Sequence, residues 1–184
     1  MDQRKNNARR VAIFGSLRVL ACAAVLVAMS IVCGKYLAIR GGEILRFSFE
    51  NLPILLAGIC FGPIVGAVAG VAADLVGCML VGYAINPIVT LGAASIGLVS
   101  GILFWATARL PMLARTLTVT AVAHLLGSVV IKTLGLAAFY SMPIGMLVLW
   151  RLVNYLIVGA IEFLLIYALL KNRSVWKTLE KMKR

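Results

Sequence analysis

The chain has 184 residues, of which 62% are hydrophobic and 13% charged, with a mean hydropathy of +1.04. This leaves too little polar surface for a water-soluble domain, so the composition indicates a membrane protein. The formal net charge is +12, but 11 of the 18 lysines and arginines lie in the first 18 and the last 14 residues. Basic ends around apolar segments are typical of the positive-inside pattern, and we therefore expect no nucleic-acid partner.

Apolar runs predict six membrane-spanning helices, because about twenty residues at 1.5 Å each cross a hydrocarbon core of roughly 30 Å. The second and third would be short, and a re-entrant hairpin is the alternative there. Arg109 and Arg115 share a side with both ends only if this region crosses an even number of times. Six spans with cytoplasmic termini satisfy that condition. The predicted spans are residues 17–38, 49–62, 64–82, 88–108, 116–138 and 147–170.

The fold class expected is thus an all-α integral membrane protein. A six-helix membrane domain at residues 17–170 lies between basic cytoplasmic tails at 1–16 and 171–184. Residues 38–50 are polar and partly alternate, which predicts an ordered extracellular loop between helices 1 and 2. The four cysteines form no CxxC pair and have no neighbouring histidine, so we interpret them as small core residues and expect no metal site.

Two stripes of small residues are candidates for helix packing, since small side chains four apart let helices approach closely in lipid. Gly66, Gly70 and Gly77 predict packing inside the bundle. Ala24 and Ala28 on the first helix suit either internal packing or a surface offered to another subunit.

Ionisable groups inside spans are functional candidates, because lipid penalises them unless they meet a partner or a wet cavity. The outer half of the predicted bundle holds a cluster of cations and amides that suits an anionic ligand with several hydrogen-bonding groups. The alternative is that Lys132 and Arg151 reach the outer surface or pair with Glu43 and Glu50. The cluster consists of Arg46, Asn86, Lys132, Arg151 and Asn154.

Three further polar residues allow less specific interpretations. Asp74 can cap a neighbouring helix or accept from a ligand N–H, and a structural role is expected. Glu162 is expected to pair with Lys171 or with a neighbouring helix. His124, the sole histidine, is expected to be buried, neutral and bonded to a backbone carbonyl.

No catalytic constellation is present: HExxH, GxSxG and GxxxxGK[ST] are all missing from the sequence. We therefore expect no enzyme activity, no cofactor and no ATP hydrolysis by this chain alone.

Eight segments carry a resemblance to a known family: LRFSF at 45–49, LPILLAG at 52–58, FGP at 61–63, GAVAG at 66–70, ADLVG at 73–77, GYAINPIVTLG at 82–92, WR at 150–151 and NYL at 154–156. Together they resemble the folate-family S components of energy-coupling factor (ECF) vitamin importers. The resemblance covers nearly the whole chain apart from the tails.

The resemblance implies a substrate-binding subunit in a bacterial-type plasma membrane, which captures a vitamin from outside. Its implied partners are a transmembrane coupling subunit and two ATP-binding subunits. The alanine motif that contacts the coupling subunit in that family maps onto Ala24 and Ala28.

Folate or a reduced folate is the ligand that the resemblance implies. Its carboxylates would suit Lys132, Arg151 or Arg46, and a pterin ring would suit Asn86 and Asn154 or a stack on Tyr83. The chain departs from many folate S components at residues 86–90, where NPIVT replaces FPGFT, and its last-helix basic pair is reduced to Arg151 followed by Asn154. The alternatives are another vitamin or precursor, such as pantothenate, thiamine or a queuosine precursor, or a membrane scaffold or accessory subunit.

Overall fold

The computed structural model of the protein describes residues 17–41, 45–140 and 144–172. Of the two basic tails, only Lys171 and Asn172 fall within these residues. The described part contains six helices. Four are regular: α2 at Asn51–Phe61, α3 at Pro63–Val81, α4 at Pro87–Ala106 and α6 at Ile144–Lys171. The other two contain π-helical turns: α1 runs over Leu17–Ile31 and ends in a π-helical segment at Val32–Tyr36, and α5 runs over Met112–Ala123, continues through a π-helical segment at His124–Ile131 and finishes at Lys132–Tyr140.

Five of these helices, α1 and α3 to α6, are long and apolar enough to cross a membrane. The exception is α2, whose 11 residues extend about 17 Å, little more than half of a hydrocarbon core of about 30 Å. The helical membrane fold is therefore confirmed. The count of six crossings and the cytoplasmic placement of both ends stay predictions.

The short helix α2 lies at the centre of the bundle rather than at its rim. Nine of its 11 residues are buried, and Leu55 and Ala57 have no exposed surface. The chain turns sharply between α2 and α3 at Gly62, whose φ of 99° favours glycine. Pro63 follows as the first residue of α3, where the missing N–H removes no helical hydrogen bond.

Helices α3 and α4 pack backbone against backbone through glycines. A Cβ atom added at Gly97 would lie 2.0 Å from the carbonyl oxygen of Gly66, and one at Gly70 would lie 2.2 Å from that of Ala93. Such an approach is possible only without side chains at these positions. The predicted internal packing is confirmed for all three glycines: Gly66 and Gly70 face α4, and the buried Gly77 faces Lys35 at the end of α1.

The predicted ordered loop contains a small β-hairpin. Strands β1 at Ile39–Gly41 and β2 at Leu45–Phe47 pair antiparallel, with Ile39 opposite Phe47. This adds one pair of short strands to the fold that the sequence predicted to be all-α. The hairpin tip, residues 42–44, lies outside the described residues.

The cysteines agree in part with the interpretation as core residues. Cys60 and Cys78 are buried, while Cys22 and Cys33 are half-buried, and none of these four described residues forms a disulfide. No group of three or more potential metal ligands occurs among residues 17–41, 45–140 and 144–172.

Candidate functional site

A small charged cavity lies between α1 to α5. It holds about 10 Å³ of water-sized space, which is room for about one water molecule. Its wall combines two lysines with two carboxylates, so its charges balance. The lining residues are Ser30, Ile31, Lys35, Glu50, Ile54, Ala73, Asp74, Ala93 and Lys132.

Lys132 is the most buried cation at this cavity, with only 4% of its surface exposed. It begins the last section of α5, directly after the π-helical segment. Its Nζ lies 3.0 Å from Oε1 of Glu50 and donates to Oδ1 of Asn51 at 3.2 Å. One alternative from the sequence, an ion pair between Lys132 and Glu50, is therefore what the structure shows. Because a lone ammonium is very unfavourable in lipid, this pair stabilises Lys132 in place.

Asp74 lines the cavity from the middle of α3. Its Oδ2 accepts a hydrogen bond of 2.6 Å from the hydroxyl of Thr90 on α4, which confirms the expected structural bond to a neighbouring helix. Its Oδ1 lies 4.0 Å from Sγ of Cys78, and Nζ of Lys35 lies 3.8 Å from the same sulfur. Asp74 and Lys35 thus form a second polar group on the cavity wall, and Cys78 lies behind it in contact with both.

Asn86, predicted to contact the ligand, caps α4 in this structure. Its Oδ1 accepts from the backbone N–H groups of Ile88 at 3.0 Å and Val89 at 3.4 Å, and its Nδ2 donates to the carbonyl of Gly135 at 2.8 Å. These bonds use three of the four hydrogen-bonding positions of the amide. Asn86 is 7% exposed and ties the start of α4 to α5.

Arg151 is half-buried near the start of α6, and its Nη1 donates to the carbonyl of Ser128 at 2.9 Å. Asn154, one turn further on, is also half-buried. Tyr83 is 39% exposed, with Nζ of Lys35 5.4 Å from its ring centroid. The side chain of Arg46 lies outside the described residues. Of the six predicted ligand residues, the cavity wall includes Lys132.

Two buried titratable residues pair away from the cavity wall. Nε2 of His124 on α5 lies 2.5 Å from Oε2 of Glu162 on α6. The expected pairing of Glu162 with a neighbouring helix is confirmed. The expectation that His124 bonds a backbone carbonyl is wrong, because the carboxylate is a stronger acceptor within reach and the ring's other nitrogen faces the hydroxyl of Ser128 at 3.5 Å.

Sequence reasoning did not assign to the ligand site four residues that the structure places at or beside the cavity. Lys35 was passed over because it lies at the end of the first apolar run. Glu50 was considered only as a partner for Lys132. Asn51 and Ser128 carry a usable signal, since each is a polar residue within an apolar segment, and both have no exposed surface.

Ala24 and Ala28 are exposed on one face of α1. Within the described part of the chain, these two side chains therefore do not pack in the interior of the bundle. The exposed face is extended by two larger apolar side chains, Val25 and Met29, which are 66% and 41% exposed.

Comparisons with known proteins agree on the kind of membrane protein. Folate transporter FolT of Clostridium novyi (strain NT) is 24% identical over 167 residues, covering 90% of this chain and 92% of that protein. A crystal structure of FolT bound with folic acid is 26% identical and superposes with a TM-score of 0.69, covering 84% of this chain and 92% of that one. The family described as ECF transporter, substrate-specific component, matches residues 18–170. This chain therefore belongs to the family of substrate-specific components of ECF transporters.

Proposed function

We propose that this chain captures folate or a reduced folate from the extracellular side for an ATP-driven ECF importer. The observation that carries the proposal is a buried, charged cavity in a fold shared with a protein that holds folic acid. The chain supplies recognition, and partner subunits supply the energy. We place it in the plasma membrane with six passes and both ends in the cytoplasm.

The balanced charges of the cavity suit a ring that both donates and accepts hydrogen bonds. A pterin presents ring N–H and amino donors beside a carbonyl oxygen. The carboxylate of Asp74 is a suitable acceptor for those donors, and the ammonium of Lys132 is a suitable donor to an oxygen of the ligand. Both residues line the cavity. Asp74 thereby joins the predicted ligand residues.

The glutamate part of folate carries two carboxylates, which require cations beyond those of the cavity wall. Arg151 and Arg46 remain our candidates, and a guanidinium can hold a carboxylate through two parallel hydrogen bonds. Asn154 and Tyr83 are proposed to complete the outer part of the site. Asn86 contributes at most the one N–H that its capping bonds leave over.

The cavity must widen before such a ligand enters. It now holds about one water molecule, whereas sites for vitamin-sized molecules enclose about 300–1,000 Å³. Glu50 lies at the boundary between the hairpin segment and α2, and its side chain is 25% exposed. We therefore propose that the approach of a ligand begins with displacement of Glu50 from Lys132.

For the energising module we propose contact through the exposed alanines Ala24 and Ala28 of α1. Small exposed residues four apart allow another helix to approach closely in lipid. The partner would be the transmembrane coupling subunit, which carries two ATP-binding subunits.

The direct test is binding of labelled folate to the purified full chain in lipid nanodiscs. Combined Lys132→Ala and Arg151→Ala substitutions should weaken binding at least about tenfold, because each removes a charged hydrogen-bond donor. Lys171→Ala, at the exposed end of α6, is the control and should bind like the wild type. Unchanged affinity in the double variant would refute the site.

Competition identifies the ligand. Excess unlabelled folate should displace the label, while pantothenate, thiamine and a queuosine precursor should not. Tight binding of one of these three with no binding of folate would overturn the assignment of the vitamin. Copurification with ATPase subunits and no ligand binding at all would favour a scaffold instead.

A further inference from the structure

A chain of buried hydrogen bonds leads from the cavity into the far side of the bundle. Lys132 donates to Oδ1 of Asn51 at 3.2 Å, and Nδ2 of Asn51 donates to Oγ of Ser128 at 3.4 Å. The Ser128 hydroxyl lies 3.5 Å from Nδ1 of His124. Nε2 of His124 lies 2.5 Å from Oε2 of Glu162. All five residues are less than 5% exposed, so water does not compete with these bonds.

Lys132 and Glu162 fix the direction of the hydrogen bonds at the two ends of this series. An ammonium group can only donate and a carboxylate can only accept. Asn51 must therefore turn its oxygen to Lys132, which leaves its N–H for Ser128. At the other end the Nε2–H group of His124 donates to Glu162, and in the tautomer with a single ring proton this leaves Nδ1 to accept from the Ser128 hydroxyl. Hydrogen bonds aligned in this way polarise one another, with a cation at one end and an anion at the other.

Ser128 also joins Arg151, another cation of the predicted cluster, to this series of hydrogen bonds. Its carbonyl oxygen accepts from Nη1 of Arg151 at 2.9 Å and from Oγ1 of Thr133 at 3.4 Å. It lies in the π-helical segment His124–Ile131, a geometry that is frequent at functional sites. The ring of Tyr155 stacks on His124 with centroids 5.0 Å apart, which holds the imidazole in place.

Glu162 has few other means of compensation. Its second oxygen, Oε1, has no hydrogen-bond partner among the described residues, and the residue has no exposed surface. Glu162 also does not line the cavity. An anion buried in this way depends on the donor that it does have, which is His124.

We propose that Glu162 is a positioning residue for the ligand site. Through His124 and Ser128 it orients the amide of Asn51, so that an acceptor oxygen faces Lys132 and holds its ammonium at the cavity. The effect on ligand affinity rests on the proposed function, whereas the link between Glu162 and Lys132 does not. Two of the four links are 3.4 and 3.5 Å long, so the expected effect is modest.

The link is tested without ligand by NMR of the imidazole nitrogens. The chain contains one histidine, so ¹⁵N-histidine labelling of the full chain, purified with a tag that lacks histidine, reports His124 alone. Wild type should show a neutral ring protonated at Nε2. Glu162→Gln and Lys132→Met should both shift the ring signals, although Lys132 does not touch the ring.

Ser128→Ala and Ser100→Ala form the matched pair for this measurement. Both serines have no exposed surface, but Ser100 bonds to the carbonyl of Gly97 and lies outside the chain of bonds. Ser128→Ala should shift the Nδ1 signal and Ser100→Ala should not. Signals that respond to neither Lys132→Met nor Ser128→Ala would overturn the proposal. If Lys132→Met does not fold, Ser128→Ala decides alone.

Folate affinity provides the second readout. Glu162→Gln should weaken binding about twofold to tenfold, the net value of one hydrogen bond. The same substitution in a Lys132→Met background should cause no further loss of affinity, since the two residues act through one series of hydrogen bonds. Additive losses would contradict the proposed link. A wild-type protein that binds no folate would refute the proposed function, while the NMR result would still decide the role of Glu162.

Discussion

The contact between α3 and α4 predicts that Gly97→Ala strongly destabilises the protein. The new Cβ would lie 2.0 Å from the carbonyl oxygen and 2.2 Å from the carbonyl carbon of Gly66. Ordinary contacts between such atoms are about 3.5–4.0 Å, so the two backbones must separate by more than about 1 Å. No side-chain rotation can relieve this, because both opposing atoms belong to the backbone. We expect the free energy of unfolding to fall by at least as much as ordinary overpacking costs, which is about 1–3 kcal/mol.

The measurement is thermal unfolding of the purified protein in one detergent. By the usual relation between stability and melting temperature for chains of this size, Gly97→Ala should lower Tm by at least about 4 °C. Gly145→Ala is the matched control, because an added Cβ there meets no atom within 4 Å. Equal melting temperatures for the two variants would refute the close packing of α3 on α4.

Three further variants test the site and its surroundings. Glu50→Gln should lower the stability of the ligand-free protein by roughly 1 kcal/mol, less than for a fully buried pair because Glu50 is partly exposed. The same variant should gain more in Tm from folate than wild type does, since the ligand no longer competes with Glu50 for Lys132. Asn86→Ala should cost about 0.5–2 kcal/mol through loss of the α4 cap, and an unchanged Tm would contradict that role. Ala24→Leu combined with Ala28→Leu should leave folate binding intact and abolish copurification with the coupling subunit; retained copurification would place the contact elsewhere.

The helices could be predicted from the sequence because apolar runs of span length carry a strong signal. The predicted span at residues 88–108 is α4 at Pro87–Ala106, and the span at 64–82 is α3 at Pro63–Val81. The packing role of the glycine stripe on α3 could also be predicted, since the spacing of the glycines alone indicates a close approach of helices. The shortness of α2 was visible in the limited number of residues before Gly62.

The candidate site was harder to predict because it depends on which side chains meet across helices. Lys132 and Glu50 are 82 residues apart, and no local pattern shows that they pair. The π-helical segment before Lys132 changes which face of α5 the lysine occupies, and the sequence gives no sign of it. For Asn86 a signal was present, although the sequence analysis interpreted the residue as a ligand contact. Asn followed by Pro is typical of a helix start, and the amide caps α4.

The exchange of partners at Lys132 gives the site a basis for selecting its ligand. In the proposed binding step, an acceptor atom of the incoming ligand takes the place that the Glu50 carboxylate now occupies. The buried ammonium of Lys132 therefore always has a hydrogen-bond acceptor. A ligand of similar shape without an acceptor at that point would leave Lys132 without its counter-charge, which costs free energy, although less than the about 3–5 kcal/mol of a fully buried pair because Glu50 is partly exposed. Such a ligand therefore meets a cavity that remains closed by the pair between Lys132 and Glu50. Selection then depends on the ligand's chemistry at one buried atom, Nζ of Lys132, more than on the volume of a preformed pocket.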